Sequence, residues 1–85
     1  MSEFDWKRWI LLKPKEKLRH EGSKRNGFMG EEDIESYSIL SESGNVIGSV
    51  TVRDHKAVKG FRRTINVIQR DELKRVLLDK THTFS

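Results

Sequence analysis

The sequence predicts a small α+β domain: a three-stranded antiparallel β-meander over about residues 35–69, followed by a short C-terminal helix. Apolar and polar residues alternate with the two-residue period of a strand over 46–53 and 61–69. Beyond them, Leu73, Val76 and Leu77 recur at helical spacing. A chain of 85 residues makes one domain with a modest core, and its apolar fraction of 34% is low, so we expect a single domain over 1–85 that is weakly ordered in part.

The first third of the chain is expected to be a basic arm and a flexible loop over 1–33, with the meander and helix in 34–80. Trp6–Leu12 fits a short helix or an irregular arm, and a strand is the alternative. Pro14 ends whichever element forms. Lys13–Asp33 contains three Gly, one Pro and few apolar side chains. That composition is typical of a long loop.

The meander is predicted from two strands and a turn, then a third strand. Glu35–Glu42 is the first strand, Ser43-Gly44-Asn45 the turn and Val46–Arg53 the returning strand. Its alternation places Val46, Gly48, Val50 and Val52 on one face and Ile47, Ser49, Thr51 and Arg53 on the other. Phe61–Gln69 is the third strand, with Phe61, Arg63, Ile65 and Val67 on one side and Arg62, Thr64, Asn66 and Ile68 on the other.

The C-terminal element is predicted as a helix over Asp71–Asp79, because Asp71 is a favourable N-cap residue. The alternative is a fourth strand. In that interpretation Arg75–Thr81 pairs with the third strand through a turn at Asp71–Lys74, as the β-propensity of Val76 favours.

Charge points to a polyanionic partner. The net charge is +4, and between Arg53 and Arg63 five Lys or Arg stand against a single acid, Asp54. Gly60 allows a tight bend there. The absence of cysteine excludes disulfides and cysteine-based zinc sites. No apolar run approaches the length of a membrane span, so we expect a cytoplasmic protein that does not bind membranes.

We therefore expect a basic nucleic-acid-binding accessory or regulatory protein that binds DNA rather than RNA. In this hypothesis the sheet face carrying Arg53, Arg62, Thr64 and Asn66 reads a groove, and Lys56, Lys59 and Arg63 contact phosphates. The predicted order of three strands and a helix resembles the three-stranded DNA-binding domains at integrase N-termini and in plant ethylene-response factors. The resemblance covers Glu35–Asp79 and is one of architecture, because no family motif is matched.

Two alternatives remain open. A non-enzymatic protein-interaction module, an adaptor or inhibitor, would dock through the hairpin edge or through the arm that carries Trp6 and Trp9. A metal-independent ribonuclease would draw its acid, base and cations from one cluster: Asp54, His55, Lys56, Arg62 and Arg63. We expect no enzyme activity, no cofactor and no metal, because the three histidines lack ligand-like spacing and the glycines form no phosphate-binding loop. A monomer, or a homodimer through a strand edge, is expected.

Overall fold

The structure is all-β, with one five-stranded antiparallel sheet. The computed structural model describes residues 5–27, 31–56 and 62–84. Within these ranges the single helical element is a short 3-10 turn, Trp6–Trp9. The strands lie side by side in chain order and are β1 Lys17–Asn26, β2 Glu32–Leu40, β3 Val46–Lys56, β4 Arg63–Asp71 and β5 Val76–Phe84. The predicted α+β class, with three strands and a helix, is therefore wrong.

The long loop predicted over 13–33 is wrong because most of it forms β1. This strand pairs with β2 from the Lys17–Leu40 pair to the Asn26–Glu32 pair, with a register shift after His20. It is an edge strand that is largely exposed, so it needs few apolar side chains. The backbone ladder with β2 stabilises it. The proposed boundary between residues 33 and 34 falls inside β2.

The C-terminal helix predicted over 71–79 is also wrong, because the chain reverses at Asp71 and returns as β5. The Asp71 carboxylate accepts the backbone N–H groups of Leu73 and Arg75, both at 2.9 Å. Lys74 adopts the left-handed conformation, with φ 66°, which ends any helical path. An aspartate whose carboxylate accepts N–H groups of the residues that follow it can stabilise a tight turn as well as the N-terminus of a helix. The alternative of a further strand after this turn is the one observed.

The core lies on one face of the sheet, where the predicted alternation of β3 and β4 is confirmed. Val50 and Val52 on β3 and Ile65 and Val67 on β4 are all buried. Ile39 and Ile10 complete this cluster, and the 3-10 turn packs over it through its two tryptophans. We call this the covered face. The opposite side, called the open face, carries no second layer among the described elements.

One end of β3 departs from the predicted alternation. Leu40 pairs with Val46 and Ile39 with Gly48, so the ladder contains a bulge at this point. As a result Val46, predicted to face the core, is 53% exposed, whereas Ile47 packs against the core cluster. The turn before β3 is where the sequence places it, and Gly44 takes its required positive φ of 89°.

The segment before β1, residues 5–16 and called the arm from here on, is held on the covered face by one buried polar side chain. Gln69, 2% exposed, accepts the backbone N–H of Leu11 at 2.8 Å and donates its amide to the carbonyl of the same residue at 3.1 Å. This reciprocal pair imitates a β-ladder contact and satisfies the buried amide. Together with the packing of Trp6 on Tyr37, at 5.2 Å between ring centroids, it fixes the arm.

These corrections remove the basis for the resemblance to three-stranded DNA-binding domains, because the helix that completes that architecture is a strand here. The described ranges hold no helix long and apolar enough to cross a membrane.

Candidate nucleic-acid interface

Three of the predicted interface residues lie together on the open face. Arg53 pairs with Asn66 across β3 and β4, and the neighbouring row pairs His55 with Thr64. Thr51, two residues before Arg53, lies on the same side. Because these strands are central in the sheet, the face is continuous on both sides of Arg53. The predicted surface is therefore a real sheet face, with Arg53 exposed near its middle.

Two other predicted residues, Lys56 and Arg63, pair with each other and lie on the covered face. Arg63 donates from Nε and Nη2 to the two carboxylate oxygens of Asp54, at 2.9 and 2.6 Å. Hydrogen bonding to Arg63 lowers the pKa of Asp54 below its usual range, and the same contact raises the pKa of Arg63. Arg63 also stacks over Phe84, 5.1 Å from its ring centroid. A phosphate would have to displace the carboxylate to reach this guanidinium.

Asn66 is committed to its own sheet. Its amide nitrogen lies 2.9 Å from Asp79 Oδ1, 3.0 Å from Thr81 Oγ1 and 3.3 Å from the Lys80 carbonyl oxygen. An asparagine that reads adenine needs its amide donor free. Base reading by this residue would break these contacts with β5.

The last two predicted residues are at the turn before β4. Lys59 lies outside the described residues. Arg62 immediately precedes β4 and is exposed.

Sequence reasoning missed one further cation on the open face, Arg70. Arg70 pairs with Ser49, next to the buried Gln69, so the same alternation that located Arg53 would have found it. Neither Arg53, Arg62 nor Arg70 forms an ion pair with a carboxylate in the described ranges. Two of the three, Arg53 and Arg70, lie on the open face, and Arg62 stands immediately before β4.

The dimensions of the open face limit what it can bind. Five strands spaced ~4.8 Å apart make a surface about 19 Å across. The major groove of B-DNA is only about 12 Å wide and admits a helix or a two-stranded ribbon. The face as a whole is too broad for the groove reading predicted from the sequence. It can instead lie against phosphates or under a single strand.

The covered face contains a polar cleft beyond the edge of the core. Its volume is about 800 Å³, and Trp6, Val52 and Ile65 provide apolar walls. The carboxylates in it are already engaged: Asp33 accepts from Arg25 Nε at 3.0 Å, and Asp54 holds Arg63. The two arginines that line the cleft, Arg25 and Arg63, are therefore both paired with carboxylates.

A serine, a histidine and a glutamate meet at the rim of this cleft. Glu35 Oε1 lies 2.8 Å from His20 Nε2 and 2.7 Å from Ser23 Oγ, while Ser23 Oγ is 3.4 Å from the same ring nitrogen. In a nucleophilic triad the carboxylate holds the other nitrogen and leaves the serine to the imidazole. Here the imidazole of His20 and the hydroxyl of Ser23 both contact one oxygen of Glu35, so the carboxylate holds β1 to β2 and does not leave the serine to the imidazole.

The residues named for ribonuclease chemistry are divided between the two faces. Asp54 and His55 are adjacent in β3 and so project to opposite sides of the sheet. The structure does not bring this acid and this base to one phosphate. The described ranges also contain no group of three or more His, Asp or Glu side chains arranged to hold a metal ion.

Comparison with protein families, curated proteins and solved structures finds no match for this chain.

Proposed function

We propose that this chain is a small nucleic-acid-binding accessory protein that holds the phosphate backbone of a single strand against the open face of its sheet. The observation that carries the proposal is the set of three arginines on or beside that face, Arg53, Arg62 and Arg70, which have no carboxylate partner among the described residues. A net charge of +4 supports attraction of a polyanion from a distance.

Threonine hydroxyls support the same function. Thr51 and Thr64 lie on the open face beside Arg53 and can donate to phosphate oxygens. The sheet is too broad for a major groove, and Asn66 is engaged within it. Recognition on this surface is therefore of the backbone, with little dependence on base sequence.

The proposal is tested by fluorescence anisotropy with labelled single-stranded DNA, single-stranded RNA and duplex DNA. If the three arginines each neutralise one phosphate of a single strand, log K falls against log salt with a slope of about −2. Binding then weakens about 20-fold between roughly 50 and 200 mM salt. Replacing Arg53 by Ala should reduce the steepness of that slope by about 0.7.

The matched control is Arg25→Ala. It changes the net charge equally but removes an arginine that pairs with Asp33 on the covered face. We expect the slope to stay as in the unaltered chain. If the slope became equally shallow in both variants, overall charge, and not the open face, would attract the nucleic acid. The proposal would be overturned if neither single-stranded probe showed salt-sensitive binding, whatever the result with duplex DNA.

A further inference from the structure

All the large apolar side chains that stand exposed in the described ranges lie at one end of the sheet. The turns after β2 and after β4 are at this end, since the strands alternate in direction, and the arm leads into β1 here. The arm, the turn after β4 and the adjoining strand ends carry six such side chains at this end: Leu11, Leu12, Val46, Leu73, Val76 and Leu77. Their exposed fractions run from 38% to 69%. Single exposed apolar residues are ordinary, but a cluster at one site marks a contact surface.

Part of this cluster surrounds a groove of about 420 Å³. Leu11 and Leu12 from the arm form one side, Leu77 of β5 another, and Ile39 and Ile47 the floor. The volume lies within the range of ligand pockets and has room for roughly one or two large apolar side chains. Leu11 and Leu77 are 59% and 51% exposed, so the groove is open to solvent rather than part of the core.

The charged residues that line the groove are Lys13, Glu16 and Arg70. The Glu16 carboxylate already accepts the backbone N–H of Lys13 at 2.9 Å, within a tight turn of the arm. Neither the Lys13 ammonium nor the Arg70 guanidinium forms an ion pair with a described carboxylate. The groove lining thus holds two cations without a carboxylate partner and one carboxylate, which gives it a net charge of +1.

We propose that this groove docks an acidic segment of a partner protein that carries one or two large apolar side chains. The apolar side chains enter between Leu11 and Leu77, and the acids meet Lys13 and Arg70. Opposite charge at a rim steers encounter and fixes the register of a bound peptide.

Charge and shape exclude the competing occupants. A second copy of this chain would bring an identical cationic rim against Lys13 and Arg70, and like charges at an interface are costly. A membrane surface is matched by protruding apolar side chains on a helix face, whereas this site is concave. A peptide with apolar anchors is the occupant that fits a groove.

Docking at this end is separable from the proposed nucleic-acid function. Arg70 lies between the two surfaces, but Arg53 is on the open face and does not line the groove. The two activities therefore share Arg70, but each can be removed by itself, the first through Arg53 and the second through Leu77.

The test uses a labelled peptide of about twelve residues, made of glutamate and aspartate with two leucines four positions apart. Its Kd for the purified chain is measured by fluorescence anisotropy at about 150 mM salt. A second peptide has serines in place of the leucines and measures attraction by charge alone. Leu77→Ser removes one wall of the groove. Leu73→Ser is the matched control, since Leu73 is 69% exposed but does not line the groove.

We expect saturable binding of the leucine peptide that is at least about tenfold tighter than that of the serine peptide. Leu77→Ser should weaken it by about tenfold or more, while Leu73→Ser and Arg53→Ala leave it within about twofold. Far-UV circular dichroism verifies that each variant keeps the sheet. Equal affinity for both peptides would overturn the proposal. The proposal would also be overturned if the chain dimerised with rising concentration, or bound anionic vesicles and not the peptide, and Leu77→Ser abolished that association.

Discussion

Gln69 offers the sharpest test of how the arm is held, because it is the only buried polar side chain identified in the described core. Replacing Gln69 by Leu keeps the size of the side chain but removes both of its hydrogen bonds to Leu11. The N–H and carbonyl of Leu11 then lose their partners at a part-buried position. We expect the arm to leave the sheet more readily than the sheet itself unfolds.

The magnitude follows from the two bonds. Each contributes about 1 kcal/mol net, and each orphaned backbone group costs about 1 kcal/mol more. Burial of an apolar Leu in place of an amide offsets part of this, by about 1 kcal/mol. The arm is therefore destabilised by about 3 kcal/mol. Because the m-value scales with the surface exposed, release of the arm has a smaller m-value than unfolding of the sheet, and its midpoint should fall by more than about 1 M urea.

Two probes separate the arm from the sheet. Both tryptophans of the chain, Trp6 and Trp9, are in the arm, so their fluorescence reports its docking. Far-UV circular dichroism reports the sheet. In Gln69→Leu the fluorescence transition should precede the dichroism transition, whereas in the unaltered chain the two should lie closer together.

The control is Val67→Ala, which removes fully buried apolar volume from the sheet itself. It should lower both midpoints together. If Gln69→Leu also moves both midpoints equally, or moves neither, the Gln69 contacts do not govern docking of the arm.

Three further expectations concern the sheet, each measured as a urea midpoint. Gly48→Ala should lower the free energy of unfolding by about 1–3 kcal/mol, because a Cβ there would lie 2.8 Å from the Arg70 carbonyl oxygen. Gly22→Ala is the control and should be nearly neutral, because a Cβ at that position meets nothing within 4 Å. Equal losses of stability in the two variants would contradict this reasoning. Lys74→Gly should stabilise by about 0.5 kcal/mol because it relieves the positive φ of 66°, and a loss would show that the strain is absent. Hydrogen bonding to Arg63 lowers the pKa of Asp54 in the folded chain. The contact of Asp54 with Arg63 therefore stabilises the fold fully above the unfolded pKa of about 3.9, and this contribution is lost as the pH falls through the folded pKa. Stability should therefore fall less between pH 7 and 3 in Asp54→Asn; the same fall in both would refute the coupling.

The central strands could be predicted because burial on one side imposes an alternating pattern. Val50, Val52, Ile65 and Val67 carry that pattern and form most of the core. β1 could not be predicted in this way. Leu18 is its one large apolar residue, and the ladder that stabilises an edge strand uses backbone groups that every residue carries.

The sequence could predict which residues of the candidate site share a face of the sheet, but it could not predict which of them are already paired with other side chains. Alternation places Arg53 and Thr64 together, but which side chains neutralise each other depends on strand register. The contact of Arg63 with Asp54 follows from the pairing of β3 with β4, and the commitment of Asn66 follows from the existence of β5. β5 was predicted as a helix because an aspartate such as Asp71 is favourable both at the start of a helix and in a hairpin turn.

The order of the strands has a consequence for how the chain folds. Every strand pairs with the one before or after it, so each hairpin can close locally and the sheet can grow one strand at a time. Local pairing of this kind favours faster folding than the distant pairings of β-sandwiches. The arm is the exception, since Leu11 meets Gln69 across 58 positions of the chain. The segment that precedes every strand must therefore wait for β4 before it can close over the core.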